Sequence, residues 1–141
     1  MTHYAAQFPR AEGDLDTPLE TWVVWLPFQK PLSLNDRQGY WAKAKSVKAW
    51  RDAAGLALMV EGIPACSRVR LGLHYFPKQD RRRDPDNLVA SLKPCADALV
   101  DVGIVPDDTQ EYVDRVWPFI MPKLPDDKGV GRFSLIVDRL A

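Results

Sequence analysis

Arg81, Arg82 and Arg83 run directly into Asp84-Pro85-Asp86-Asn87-Leu88. Two carboxylates one residue apart repel, so they stay ionised side by side most easily with a cation between them. A hard divalent ion such as Mg²⁺ takes a few carboxylate oxygens and keeps waters and substrate phosphates as its other ligands. An arginine run beside that pair would draw in a polyanion, which points to phosphodiester chemistry. The same order also suits a plain helix start. Asp84 would then be the cap, Pro85 the first helical residue and Asp86 an acid favoured by the helix dipole.

Residues beyond the octet extend the metal-binding possibility. On a helix at 100° per residue, Lys93 and Asp97 fall within about 20° of the direction of Asp86. Leu88, Leu92, Cys95 and Leu99 take the opposite, core-facing side. A second acidic pair, Asp107-Asp108, lies in the loop after that helix. It reads equally as an Asp-rich turn or as the third carboxylate of a metal set for phosphoryl transfer to water.

These residues need a scaffold, and the chain is long enough for one domain of 141 residues with a real core. At 46% hydrophobic and 27% charged residues, the composition is that of a soluble globular domain. No apolar run approaches membrane-spanning length, and the acidic, polar N-terminus lacks the character of a signal peptide. Cys66 and Cys95 are too far apart for a Cys-x-x-Cys site, and His3 and His74 are too scattered for zinc. A reduced, cytoplasmic protein with packing thiols is the expectation.

Net charge is zero, which argues against a generic nucleic-acid binder, but the charge is unevenly spread. Residues 37–83 hold eleven bases and three acids, whereas residues 84–141 hold six bases and eleven acids. A basic middle therefore precedes a carboxylate-rich part, which suits polyanion binding by one face and metal binding by another.

Residues 1–20 lack periodicity and read as a flexible acidic extension. Thr21–Leu26 predicts a strand apolar enough to be buried on both faces, and Pro27–Gly39 a loop. Tyr40 to about Val60 predicts a helix with Val47, Trp50, Ala54 and Leu58 inward and Lys43, Lys45, Lys48 and Arg51 exposed. In Ser67–Phe76, Val69, Leu71, Leu73 and Tyr75 alternate with Arg68, Arg70 and His74. That predicts a half-buried strand, with His74 facing the surface or a groove. A basic loop Lys78–Arg83 leads to a helix from Asn87 to about Val102, stopped by Gly103. A strand over Tyr112–Met121, with Pro118 marking an edge or bulge, and a strand over Phe133–Asp138 complete the chain. The order predicts an α+β domain: a mixed β-sheet of about four strands with two main helices packed on it.

The ordered set Arg82-Arg83-Asp84-x-Asp86-Asn87-Leu88, Lys93-Pro94-x-x-Asp97-Ala98-Leu99 and Gly103-x-x-x-Asp107-Asp108 resembles the RusA family of Holliday junction resolvases. The resemblance spans residues 81–110, with residues 21–141 as the expected endonuclease domain. It implies a phage- or prophage-type, Mg²⁺-dependent endonuclease, with Mn²⁺ as a substitute, acting in DNA recombination and repair in the bacterial cytoplasm. It further implies a homodimer that cuts four-way junctions and has no membrane partner.

Carried over by position, Asp84, Asp86 and Asp108 would be catalytic metal ligands, with Asp107 as the neighbouring choice, and Lys93 the functional lysine. Arg81, Arg82, Arg83, Asn87, Lys43, Lys45 and Lys48 would hold DNA. In the family's best-known members the lysine follows the second Asp by about one helical turn, where Ala90 stands here. One added turn keeps Lys93 on the same face but moves it about 5 Å along the axis. Two other functions are compatible with the same residues. A nucleotidyl transferase could use the Asp-x-Asp site, although no Gly-rich phosphate loop accompanies it. A non-catalytic branched-DNA-binding protein would use the basic middle alone.

Overall fold

The computed structural model describes residues 17–27, 32, 39–78, 85–125 and 131–141, without the side chains of Asp86 and Asn87. The chain folds into one α+β domain: an open mixed sheet of five strands with two helices against one face. Strand β1 (Glu20–Trp25) is followed by helix α1 (Tyr40–Glu61) and strand β2 (Val69–Phe76). A 3₁₀ turn (Pro85–Leu88) leads into helix α2 (Val89–Asp101), then β3 (Val113–Arg115), β4 (Phe119–Ile120) and β5 (Arg132–Arg139). The sheet order is β1-β5-β2-β3, with β4 also on β2. Strands β1, β5 and β2 pair antiparallel, whereas β3 and β4 run parallel to β2. Most of the predicted extension, residues 1–16, lies outside the described residues. So do most of the predicted loop Pro27–Gly39 and residues 126–130 of the last connection.

The two helices form where the apolar spacing places them, and glycines end them. Gly62 closes α1 at φ 71°, donating its N–H to the Met59 carbonyl at 3.1 Å. Gly103 does the same after α2 at φ 81°, its N–H 3.0 Å from the Val100 carbonyl. Only the left-handed backbone region allows these closures, and it is costly for any residue with a Cβ. Helix α2 begins later than expected, at Val89, because Pro85–Leu88 coil as a 3₁₀ turn. Pro94 sits inside α2 and removes one ladder hydrogen bond. Leu88, Leu92, Cys95 and Leu99 are buried as the wheel predicts, against Trp50, Ala54 and Leu58 of α1 and Leu71, Leu73 and Leu135 of the sheet.

Two strand expectations need correction. Strand β2 is not half-buried: all eight of its residues are buried, Arg70 and His74 included. The antiparallel register sets Arg70 opposite Asp138 and His74 opposite Ser134. The Arg70 guanidinium is 3.2 Å from the buried Asp138 carboxylate and 3.6 Å from Asp114, and Thr21 donates its hydroxyl to Asp138 at 2.6 Å. His74 sets its ring edge-on to Phe119 at 5.7 Å rather than facing the surface. Beside them Phe76 and Ile136 form a second, smaller apolar cluster with Val23, Trp25, Met121 and Leu124. Strand β1, conversely, is less buried than expected, because it is the sheet edge: Trp22, Val23 and Trp25 are half-exposed.

The strand expected over Tyr112–Met121 is two short ones. Val116-Trp117-Pro118 interrupt it, and Pro118 has no N–H to give to a ladder. Pairing with β2 continues around the break, through Val116 N–H to the Leu71 carbonyl at 3.0 Å and Met121 N–H to the Tyr75 carbonyl at 2.7 Å.

Both cysteines are free and buried, as packing residues should be. Burial pushes the Cys95 thiol up to about 12 and raises that of Cys66, so neither holds thiolate near neutrality. Native protein is therefore expected to resist a disulfide reagent in mildly alkaline buffer and to release both thiols in denaturant. Rapid native-state labelling of Cys95 would contradict its burial in the core.

Candidate functional site

Strand β2, helix α2 and strand β3 form a crossover in which β3 returns parallel to β2. The segment after α2 turns back sharply, with Ile104 N–H bonded to the Leu99 carbonyl at 3.0 Å. Ile104 and Val105 are buried, which anchors the turn and leaves Pro106-Asp107-Asp108 to run along the helix surface. Asp107 is exposed, and its Oδ1 accepts the Asp108 N–H at 2.8 Å, so it holds the turn. Asp108 faces inward.

Lys93 donates to both Asp97 Oδ1, at 2.9 Å, and Asp108 Oδ2. Arg115 adds a second cation on Asp108 Oδ2, at 3.1 Å. Two carboxylates thus converge on one ammonium. The Lys93 bond holds the Asp108 carboxyl below the usual range, and the Asp108 and Asp97 bonds raise Lys93. Lys93, Asp108, Thr109, Gln110, Val113 and Arg115 line an open cleft of about 420 Å³.

The cluster continues to α1. Arg51 binds Asp101 through Nε and Nη2, both at 2.6 Å, in the bidentate geometry that suits a guanidinium. Its Nη1 is also 3.8 Å from Asp97. Asp101 is accordingly lowered by Arg51. Lys93, Asp97 and Asp101, spaced by four, thus give α2 a charged stripe tied to the loop on one side and to α1 on the other.

Of the expected site residues, Lys93 and Asp108 meet, and Asp107 is their neighbour. Lys43, Lys45 and Lys48 are exposed on α1, where Lys48 pairs with Asp52 at 2.5 Å. Arg81, Arg82, Arg83 and Asp84 lie outside the described residues, as do the side chains of Asp86 and Asn87. Among the described residues no group of three or more His, Cys, Asp or Glu could hold a metal ion. The donor chemistry at Asp108 nevertheless fits a hard cation. One oxygen each of Asp108 and Asp97 already faces the Lys93 ammonium, and carboxylate oxygens are what Mg²⁺ takes.

From sequence, Arg115 and Asp101 carry no site expectation, and Arg51 carries only that of an exposed helix residue. Arg115 carried a signal, since strand alternation puts it on the same face as the buried Val113, toward α2. The Arg51–Asp101 pair spans 50 residues and left none. The fold and the cleft thus define an α+β domain with a cationic and acidic cluster where the α2–β3 loop meets α2. No family model and no curated protein matches the chain. Among the described residues, no helix is long and apolar enough to cross a membrane.

Proposed function

We propose that the chain is a Mg²⁺-dependent, structure-selective endonuclease that resolves four-way DNA junctions during recombination and repair, working as a homodimer in the bacterial cytoplasm. One observation carries the reading. Lys93-x-x-x-Asp97 and Asp107-Asp108, separate pieces of the RusA-like pattern, come together as one hydrogen-bonded cluster, of which Lys93 and Asp108 line an open cleft.

Asp84, Asp86 and Asp108 would hold the metal. Bound there, Mg²⁺ supplies charge neutralisation at the scissile phosphate and a more acidic water. The side chains around it supply the rest. Asp108 is held below the usual carboxylate range chiefly by Lys93, so it is ionised at neutral pH, and a metal bound there would share it with Lys93 and Arg115. Lys93, raised by its bonds to Asp108 and Asp97, carries a positive charge that would face a phosphate in the cleft. Arg81, Arg82 and Arg83, with Lys43, Lys45 and Lys48, hold the sugar-phosphate backbone without reading bases, as structure selection requires. A two-fold dimer would set two such sites against a junction of near two-fold symmetry.

Wild-type protein is expected to cut a synthetic four-way junction only when Mg²⁺ or Mn²⁺ is present, and Asp86→Asn to bind the same junction without cutting it. Cutting by Asp86→Asn at the wild-type rate would overturn the assignment. A wild type that binds but never cuts would favour a non-catalytic junction binder.

A further inference from the structure

The inward stripe of α1 continues past its core. Trp50, Ala54 and Leu58 are buried, yet Tyr40 and Ala44, on the same stripe two to three turns earlier, are exposed, and Val47 between them is half-buried. The overhang leaves a cleft of about 360 Å³ lined by Tyr40, Lys43, Ala44, Val47, Lys48 and Arg51. Tyr40 is 77% and Trp41 82% exposed, and their rings meet edge to face at 5.1 Å. Large aromatics at a helix start that are this open to solvent contribute little to folding. The cations around them are of one sign, and neither Lys43 nor Lys45 has a carboxylate partner among the described residues. Arg51 lines this cleft and also approaches Asp97, which binds Lys93 in the neighbouring one. The two clefts are therefore joined by a continuous line of charged side chains.

We propose that Tyr40 and Trp41 form a stacking platform for unpaired bases of a nucleic-acid strand, whose phosphates are held by Lys43, one turn on from Tyr40, and by Lys45, one turn on from Trp41. The aromatic faces take any base, because every base has a π-face, and the lysines follow the backbone. The cleft of about 360 Å³ beside Tyr40, lined by Lys43 but by neither Trp41 nor Lys45, is at the small end of ligand sites and suits a single nucleotide rather than a duplex. This deepens the nuclease reading and rests on it for one point, that the unpaired strand belongs to a DNA branch opened next to the cutting site.

The test uses the full chain and a fluorescein-labelled oligothymidylate, followed by anisotropy, with junction cutting measured separately. Trp41→Ala is expected to weaken oligothymidylate binding about tenfold or more, the usual scale for loss of one stacked base. Trp41→Phe, which keeps a ring, should stay within about threefold of wild type while losing most of the tryptophan quenching seen on binding. Lys43→Ala with Lys45→Ala should flatten the salt dependence by about 0.7 per lost phosphate contact. Trp117→Ala, at another exposed tryptophan, should change nothing. A wild type that ignores oligothymidylate overturns the proposal, as does Trp41→Ala binding within twofold of wild type. Equal losses from Trp41→Ala and Trp117→Ala overturn it too. Trp41-dependent binding without junction cutting would sink the nuclease reading and leave the platform standing. Cutting with Trp41-independent binding would do the reverse.

Discussion

Asp108→Asn should lose Mg²⁺-dependent junction cutting by roughly 100- to 1,000-fold or more while staying folded. The loss follows from the proposed ligand role. A carboxamide carries no charge for a hard cation, and a ligand that supports several kcal/mol of transition-state stabilisation is worth a factor of ten for each ~1.4 kcal/mol. The survival of the fold follows from observed exposure. The substitution leaves Lys93 with Asp97 alone and Arg115 without its carboxylate, but the Lys93 and Arg115 side chains are 57% and 36% exposed and water can solvate both. Such pairs contribute about 1 kcal/mol or less. Cutting rate and urea midpoint should therefore part company, the first collapsing and the second barely moving. A variant with wild-type cutting would remove Asp108 from the metal set. A variant that unfolds would show the cluster to be structural.

The same pair fixes a pH dependence. Lys93 depresses the Asp108 carboxyl in the folded protein, so its contribution to stability is complete above the ordinary carboxylate pKa of about 3.9. That contribution fades as pH falls through the lower, folded value. Exposure keeps it small. Neutral and mildly acidic buffers should leave it untouched.

Asp138→Ala is expected to be the most damaging single change to stability. Arg70 and Asp138 are 3% and 1% exposed, and the substitution would strand a guanidinium in the sheet while also removing the acceptor of the Thr21 hydroxyl. Removing one partner of a buried ion pair costs about 3–5 kcal/mol, because the remaining charge is left desolvated without compensation. For a domain of this size the melting temperature should fall on the order of 10 °C. Replacing both residues together by leucine should recover most of the loss, since an apolar pair of similar volume is close to neutral. The nearest rescue is Asp114, 3.6 Å from Arg70 and 40% exposed. A loss below about 1 kcal/mol would mean that Asp114 takes over the charge.

Much of the scaffold was legible from local chemistry. Helix α1 starts at Tyr40 as its apolar spacing indicates, and Gly62 and Gly103 stop the two helices because their backbone conformation favours glycine. The division of α2 into a core face with Leu92, Cys95 and Leu99 and a charged face with Lys93 and Asp97 needed only the helical period. These features depend on residues within a few turns of one another.

The features that local chemistry left open depend on partners far along the chain. Alternation in β2 indicates that Arg70 and His74 share a face, but not whether anything covers it. Its burial rests on a register that puts Arg70 opposite Asp138, 68 residues away, and a slip of one residue would turn that carboxylate to the other side. The cluster is similar. From its own sequence, Asp107-Asp108 is equally a turn or a ligand pair. The return of the chain along α2 separates the two roles, giving Asp107 to the turn and Asp108 to Lys93, 15 residues earlier. Residue types and helical spacing thus define the chemistry available to this chain. Which carboxylate meets which cation is set by strand register and loop path, because electrostatic pairing acts through space and takes no account of order along the chain.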